Sequence, residues 1–259
     1  MDDGLPRRTG AGRVWLVGAG PGAADLLTVR AARLLRAADV LAYDELVPEA
    51  IRALAPATAE RIAVGRRAHG CRHHHQAVHP LVIARARAGR CVVRLKGGDP
   101  LVFGRGGEEA EALAAAGIEF EIVPGITAAL GAAAAAGVPL THRECASSVT
   151  FVTAHAAGDD SPQGACTSGG RSGTLVYYMG LGRIDTTCAA LVRSGRPSDT
   201  PAAVVSRATL PDERTVVGTL ADIASLAHAA GLGTPAILLV GDVVSRRVAP
   251  SSVTRATEG

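Results

Sequence analysis

Short apolar runs rich in β-branched residues alternate with segments in which apolar residues recur at helical spacing. In the first half of the chain, strand patterns lie at 13–17, 40–43, 61–64, 91–95 and 120–123. Helical patterns lie between or after them, and the three at 77–88, 108–116 and 126–136 each end at a glycine, the residue most common just past a helix. Strand–helix–strand units of this length are typical of a mostly parallel sheet.

A second set of such patterns begins near residue 148. Strands are predicted at 149–153, 174–178, 203–206, 214–217 and 236–240, with helices at 184–193 and 221–230. The polar, glycine-rich stretch 158–173 has the composition of a mobile loop. We therefore predict two α/β domains, at 13–138 and 139–247, with flexible tails at 1–12 and 248–259. A cleft between two such domains is a common ligand site.

The strongest chemical signal is the glycine-rich loop after the fourth strand pattern. Gly97 and Gly98 are followed by Asp99-Pro100, and a second glycine cluster precedes the next helix. In open α/β sheets, ligands bind beyond the carboxyl ends of the strands. Paired glycines let a ligand lie against the main chain, and Asp99 offers an acceptor for a ribose hydroxyl or an amine. A simple turn needs fewer glycines, so this loop predicts a binding site.

The turn after the first strand leaves a second function class open. It reads Gly18-Ala19-Gly20-Pro21-Gly22-Ala23, and Asp44 follows the second strand where a ribose-binding acid is expected in dinucleotide-binding proteins. However, Pro21 removes one N–H from a phosphate site, and Ala23 replaces the third glycine. An NAD(P)-dependent oxidoreductase is the alternative that this spacing supports.

Composition narrows the range of partners. The formal net charge is only +3 and aromatic residues make up 3% of the chain, which argues against a nucleic-acid platform. No apolar run reaches membrane-spanning length, and the N-terminus lacks the apolar core of a signal peptide. The five cysteines are widely spaced without a C-x-x-C motif, so we expect reduced thiols and a cytoplasmic protein. The histidines of the loop 69–79 have Gly, Arg and Pro as neighbours, so we expect a solvated loop and no metal there.

The segment 92–109, VVRLKGGDPLVFGRGGEE, resembles the central signature of the uroporphyrinogen-III C-methyltransferases, within the tetrapyrrole methylase superfamily. Further similar segments follow in order at 14–31, 43–47, 123–155, 177–181 and 201–223, so that the resemblance covers about residues 13–245. It implies the tetrapyrrole methylase fold, with S-adenosyl-L-methionine between two α/β domains, and a homodimer. The implied reaction methylates uroporphyrinogen III at C2 and C7, giving precorrin-2 and S-adenosyl-L-homocysteine.

The resemblance also implies which residues contact the cofactor. The matching positions are Pro21, Gly97, Gly98, Asp99, Val102, Thr127, Ala128, Met179 and Ala208. Thr127 and Ala128 fall in the first turn of a predicted helix, where N–H groups can meet a carboxylate. Without the resemblance, helix capping and core packing would account for Thr127, Met179 and Ala208.

Two catalytic positions are implied in the same way. Asp44 matches the base that removes a proton after pyrrole alkylation, and its alternative role is an N-cap ahead of Pro48. Arg66 stands where the family commonly has a lysine proposed as proton donor. Because arginine is a poor acid, we expect Arg66 to clamp a carboxylate of the polyanionic substrate. Arg67 and Arg105 are expected to bind further substrate carboxylates.

Other members of the superfamily are weaker alternatives. A later corrin-ring methylase, or a relative acting on protein or RNA, fits the long match at 92–109 less well. A non-catalytic binding module conflicts with the intact loops. Fused siroheme-synthesis enzymes carry a dehydrogenase–ferrochelatase module before the methylase, and with about twelve residues before the first strand we expect none here.

Overall fold

The computed structural model describes residues 12–64, 77–154 and 173–249. The chain divides into two compact units, one ending at Ala128 and one beginning at Ala129. Each unit contains a five-stranded sheet. Helices accompany both sheets, which confirms the predicted α/β class.

The first unit is built on a parallel sheet. Its strands are β1 (Arg13–Gly18), β2 (Val40–Tyr43), β3 (Glu60–Ala63), β4 (Cys91–Lys96) and β5 (Glu119–Val123). They lie in the order β3-β2-β4-β1-β5, and every neighbouring pair is parallel. The carboxyl ends of all five strands therefore meet at one edge of the sheet.

In the described residues, the helices between these strands are α1 (Val29–Arg36), α2 (Glu49–Arg52), α3 (Pro80–Arg87) and α4 (Gly106–Ala115). Successive residues of a strand point to opposite faces, so each central strand feeds two cores. One core joins Val93 and Leu95 of β4 to α1. The other joins Val92 of β4 to α3 and to Leu113 of α4.

The second unit has a mixed sheet. Its strands are β6 (Val149–Thr153), β7 (Thr174–Tyr178), β8 (Pro201–Ser206), β9 (Arg214–Thr219) and β10 (Ala236–Val240), in the order β6-β7-β10-β8-β9. β6 and β7 are parallel, whereas the other pairs are antiparallel. Because β7 and β8 both run opposite to β10, their carboxyl ends lie at the same edge. Helices α6 (Ile184–Arg193) and α7 (Ile223–Ala229) pack on this sheet.

Helix α5 (Ala128–Ala136) belongs with the second unit, apart from its first residue. The N–H of Ala129 donates to the Tyr178 hydroxyl at 3.2 Å, and Arg247 Nε donates to the Ala136 carbonyl at 2.8 Å. The sequence placed this helix at the end of a first domain spanning 13–138. The structure divides the chain before most of the helix, because its partners lie later in the sequence.

Most elements lie close to their predicted bounds, and β2, β6, β7, α6 and β10 match them at both ends. The four-residue helix α2 was not predicted, because it is too short to show periodicity. The predicted loop 158–173 and the two tails lie almost entirely outside the described residues. Among the described residues, no helix has the length and apolar character needed to cross a bilayer.

Gly18, at the end of β1, lies where a side chain has no room. A Cβ there would be 2.6 Å from the Cα of Gly125 and 2.7 Å from the carbonyl oxygen of Gly98. We expect Gly18→Ala to lower the free energy of unfolding by about 1–3 kcal/mol, the usual cost of overpacking. Gly107→Ala is the matched control, because a Cβ at Gly107 meets no atom within 4 Å and the residue lies in α4. Urea denaturation compares the three proteins, and native-like stability of Gly18→Ala would contradict this packing.

Candidate active site

The carboxyl edge of the first sheet gathers the predicted site residues of the first unit. Pro21 follows β1, Asp44 follows β2, and the glycine-rich loop with Asp99 follows β4. Thr127 and Ala128 follow β5. Residues far apart in sequence are therefore brought to one edge by the parallel order of the strands.

Main-chain hydrogen bonds tie the loops after β1 and β4 together. The N–H of Gly20 donates to the carbonyl of Gly98 at 3.1 Å, and the N–H of Gly98 donates back to Gly20 at 2.8 Å. Asp99 extends this connection to the loop after β5, because its Oδ2 accepts from the N–H of Gly125 at 3.0 Å. Its Oδ1 accepts from the N–H of Leu101 at 2.8 Å. Asp99 thus orders the loop, and each carboxylate oxygen keeps a lone pair for a ligand.

The structure explains the two adjacent glycines of this loop in different ways. Gly97 is exposed, and a Cβ there would meet no atom within 4 Å, so its main chain borders open space. Gly98 has φ +65°, a left-handed conformation that disfavours residues with a side chain. Gly97 therefore leaves room for close approach to the main chain, whereas a glycine is needed at position 98 because of its left-handed φ.

Non-glycine residues with positive φ concentrate in the predicted site loops. In the described part of the chain they are Phe103, Arg105, Met179, Arg207 and Thr209, with φ between 53° and 68°. They follow β4, β7 and β8, next to or among the predicted residues Val102, Arg105, Met179 and Ala208. Each such residue costs about 1–2 kcal/mol, and strain of this kind clusters at functional sites. The sequence carried no signal for the strain at Phe103, Arg207 and Thr209.

In the second unit, Met179 and Ala208 lie at the same edge of the mixed sheet. Met179 directly follows β7 and is 49% exposed, although it is a large apolar residue. Ala208 sits in a loop held by two hydrogen bonds: Arg207 N–H donates to the Pro235 carbonyl at 2.8 Å, and Thr209 N–H donates to Glu213 Oε2 at 2.6 Å. This edge therefore presents a half-exposed apolar side chain beside a fixed, strained loop.

The start of α5 differs slightly from the prediction. Thr127 is buried and precedes the helix, and Ala128 is its first residue. Thr127 and Ala128 lie beside the loop after β4, since a Cβ on Gly98 would be 3.5 Å from the Ala128 nitrogen. The site loops after β4 and β5 are therefore adjacent.

Asp44 pairs with a buried cation and does not cap a helix. Its Oδ1 lies 2.7 Å from Nη2 of Arg94. Helix α2 begins after Pro48 without any side-chain hydrogen bond at its N-terminus, so the capping alternative for Asp44 is wrong. The Asp44 side chain is 30% exposed, which leaves it accessible at the carboxyl edge.

Arg105 lies at the N-terminus of α4. It is partly exposed and forms an ion pair with Glu108, Nε to Oε1, at 3.2 Å. The pKa of Glu108 is lowered, first by a hydrogen bond from the backbone N–H of Glu108 to its carboxylate and then by the guanidinium of Arg105. Arg105 thus presents a cation at the same edge as Asp44.

Several predicted residues lie outside the described part of the chain. These are Arg66 and Arg67, together with most of the histidine-rich loop 69–79. His79 is described, and its Nδ1 accepts from the N–H of Leu81 at 3.3 Å, so it caps α3. In residues 12–64, 77–154 and 173–249, no cluster of three His, Cys, Asp or Glu residues has the arrangement of a metal site.

The dinucleotide alternative lacks its helix. In dinucleotide-binding folds, the glycine turn opens directly into a helix whose N-terminus receives the pyrophosphate. Here a single 3₁₀ turn, Ala24–Leu26, follows the glycines, and α1 begins only at Val29. The first turn therefore does not have the geometry of a pyrophosphate site.

Comparison with known proteins decides the family. The model of the Tetrapyrrole (Corrin/Porphyrin) Methylases matches residues 13–224. The chain belongs to this family.

Three relatives illustrate the similarity of this tetrapyrrole methylase. The siroheme synthase of Gluconacetobacter diazotrophicus is 53% identical over 238 residues, covering 92% of this chain and 51% of that protein. The S-adenosyl-L-methionine-dependent uroporphyrinogen III methyltransferase of Methanosarcina barkeri is 48% identical over 235 residues, which cover 90% of this chain and 92% of that protein. The crystal structure of uroporphyrin-III C-methyl transferase from Thermus thermophilus with S-adenyl homocysteine is 42% identical, covers 90% and 93%, and has a TM-score of 0.77.

These relatives confirm the tetrapyrrole methylase fold that the sequence predicted. They also differ from this chain in extent. The chain spans about half the length of the siroheme synthases that it matches. It spans nearly the whole length of the Methanosarcina barkeri methyltransferase.

The strain at Met179 predicts a gain in stability when the side chain is removed. Its φ is +56° and the residue is half exposed, so Met179→Gly relieves strain and loses little burial. We expect the free energy of unfolding to rise by about 1 kcal/mol. Leu46→Gly is the control, because Leu46 is 59% exposed and its φ is not positive, and we expect it to be neutral or destabilising. If urea denaturation showed the two variants to be destabilised alike, the strain argument would be wrong.

Proposed function

We propose that this tetrapyrrole methylase is an S-adenosyl-L-methionine-dependent C-methyltransferase. Its proposed substrate is uroporphyrinogen III, methylated at C2 and C7 to give precorrin-2 and S-adenosyl-L-homocysteine. The observation that carries the proposal is the open main chain at Gly97. It lies in a loop that glycines tie to the loop after β1, and strained residues follow it. The name of the Methanosarcina barkeri relative, which matches nearly end to end, supports the same cofactor and substrate.

The residues present fit the cofactor. Gly97 leaves open a space that any Cβ would begin to fill, and the strained residues Phe103 and Arg105 follow in the same loop. The residues proposed to hold S-adenosyl-L-methionine are Pro21, Gly97, Gly98, Asp99, Val102, Thr127, Ala128, Met179 and Ala208. When bound, the cofactor supplies a methyl group already activated by its sulfonium, so the protein mainly aligns the reactants and excludes water.

Asp44 and the arginines are proposed to act on the tetrapyrrole. Alkylation of a pyrrole carbon leaves a cationic ring that must lose a proton, and Asp44 is the proposed acceptor. Its partial exposure and its position after β2 support this role. Arg105 is proposed to bind a substrate carboxylate, and so are Arg67 and Arg66, the second residue that the sequence predicted to be catalytic.

The setting of the enzyme is also a proposal. We propose a cytoplasmic homodimer that serves siroheme or cobalamin synthesis, with neither nucleic acid nor membrane as a partner. The small net charge and low aromatic content support the absence of nucleic acid. In the part of the chain that the structure describes, Cys145 and Cys188 are free thiols, which supports a reducing compartment.

Isothermal titration calorimetry separates this function from the oxidoreductase alternative. We expect the protein to bind S-adenosyl-L-homocysteine and not NAD. Gly97→Val should weaken that binding about tenfold or more, because a steric cost of about 1.4 kcal/mol already gives a factor of ten. Gly97 is preferable to Gly98 here, since valine at φ +65° would strain the fold itself.

Gly233→Val is the matched control for this titration. A Cβ at Gly233 also meets no atom within 4 Å, and the residue lies outside the predicted site. We expect Gly233→Val to bind as the native protein does. Binding of NAD by the native protein, or native affinity in a folded Gly97→Val, would overturn the assignment.

A further inference from the structure

A chain of alternating charges connects the interior of the first unit to Asp44. Lys96 Nζ lies 2.6 Å from Glu109 Oε1, and Arg94 Nη2 lies 3.0 Å from the same oxygen. Arg94 Nη2 also lies 2.7 Å from Asp44 Oδ1. The side chains of Lys96, Glu109 and Arg94 are 2%, 6% and 9% exposed, whereas that of Asp44 is 30% exposed. Of these four side chains, only that of Asp44 is substantially exposed.

Strand β4 and helix α4 bring these charged side chains together. Arg94 and Lys96 are two residues apart on β4, so they share the face on which Val92 packs against Leu113 of α4. Glu109, in the first turn of α4, meets both cations from the other side. Arg94 Nη1 donates to the Leu95 carbonyl at 3.1 Å, which fixes the plane of the guanidinium. A strand and a helix thus hold one arginine at two points.

Stability does not account for this arrangement. Buried ion pairs are weak stabilisers, and apolar residues of similar volume usually serve as well. Glu109 directs one oxygen at both cations, while Oε2 is buried without a hydrogen-bond partner among the described residues. Burial, and then the neighbouring arginine, lower the pKa of Lys96. Burial also opposes the charge on Arg94, but Asp44 and Glu109 outweigh it and raise the pKa of the guanidinium.

We infer that Glu109, supported by Lys96, is a positioning residue that holds Arg94 and through it orients Asp44. This inference rests on the proposed function, in which Asp44 takes a proton from the alkylated ring. A C–H bond of the methylene bridge next to the alkylated pyrrole breaks, its electron pair neutralises the cationic ring, and the proton binds Asp44 Oδ2, leaving Oδ1 on Arg94. Because Glu109 Oε1 also lies 3.0 Å from Arg94 Nη2, Arg94 keeps a second oxygen partner after Asp44 is neutralised. The positioning chain therefore serves both protonation states of Asp44.

The test compares five variants and one control variant with the native enzyme. Glu109→Gln removes the inner carboxylate, and Lys96→Met/Glu109→Gln removes it together with its cation, so that buried charge stays balanced if the single variant fails to fold. Arg94→Met, Asp44→Asn and their combination form a double-mutant cycle. The control is Glu60→Gln, which breaks the pair that Glu60 makes with Arg85 at 2.6 and 2.7 Å, at the start of β3 and away from the carboxyl edge.

We expect Glu109→Gln or its charge-balanced partner to lower kcat about 10- to 100-fold, the usual effect of a misplaced catalytic group. KM for both substrates and the affinity for S-adenosyl-L-homocysteine should change less than about twofold. Glu60→Gln should keep native kcat. Arg94→Met should lower kcat in the native background but not in the Asp44→Asn background, because it acts through Asp44. Urea denaturation of the ligand-free cycle should show coupling between the same two residues.

The outcomes separate this inference from the proposed function. Equal losses of kcat from Arg94→Met in both backgrounds, or a loss confined to KM, would overturn the positioning role while the methyltransferase function stood. Native kcat in Glu109→Gln and in its charge-balanced partner would overturn it as well. If the native protein neither bound S-adenosyl-L-homocysteine nor methylated uroporphyrinogen III, the proposed function itself would fail.

Discussion

The contact of three glycines at the carboxyl edge of the first sheet is the constraint on which the site depends. Gly18 ends β1, Gly98 lies in the loop after β4, and Gly125 lies in the loop after β5. Their main chains approach so closely that a Cβ on Gly18 or Gly125 would overlap backbone atoms of the other loops. Because Gly18 and Gly125 lack side chains, the loops after β4 and β5 come close enough for Asp99 to accept a hydrogen bond from the N–H of Gly125. The loops that carry the predicted site residues of the first unit are therefore organised by backbone packing.

The same edge combines this rigid backbone with buried charge. β4 carries apolar residues along most of its length and then presents Arg94 and Lys96 toward α4, at the point where its loop begins. Placing cations inside the unit, with Glu109 between them, makes the side chain of Asp44 part of a fixed array. A low-dielectric setting strengthens such an array, and it also makes each unpaired member costly. The closely packed backbone and the array of buried charges therefore both lie at the carboxyl end of β4.

Much of this architecture could be predicted from the sequence, since it rests on local signals. The apolar runs and the glycines after helices located nearly every element, and Gly117 and Gly137 have the positive φ that their positions after helices predicted. The antiparallel order of the second sheet could not be predicted, because an apolar run does not encode strand direction. The pairing of Arg94 with Glu109 and Asp44 was missed as well. Within an apolar strand pattern, the charge of Arg94 gives no sign of its partners, because Asp44 and Glu109 lie on other elements.

The site was predictable to a different degree in its parts. The loop 97–107 could be recognised in the sequence because it has more glycines than a turn needs. The structure explains two of them differently: Gly97 borders open space, and Gly98 has a left-handed φ. Strain at Met179, Arg207 and Thr209 was invisible in the sequence, since φ depends on tertiary contacts that force these residues out of their preferred region. The distinction between a cap and a partner of Arg94 at Asp44 likewise required the fold.

The position of the transferred methyl groups tests the central claim most directly. The protein is incubated with uroporphyrinogen III and S-adenosyl-L-methionine carrying a ¹³C-labelled methyl group, and the product is examined by ¹³C NMR. The account predicts two labelled methyl groups, one on C2 and one on C7. Label on other ring carbons, or no transfer by the folded protein, would contradict it.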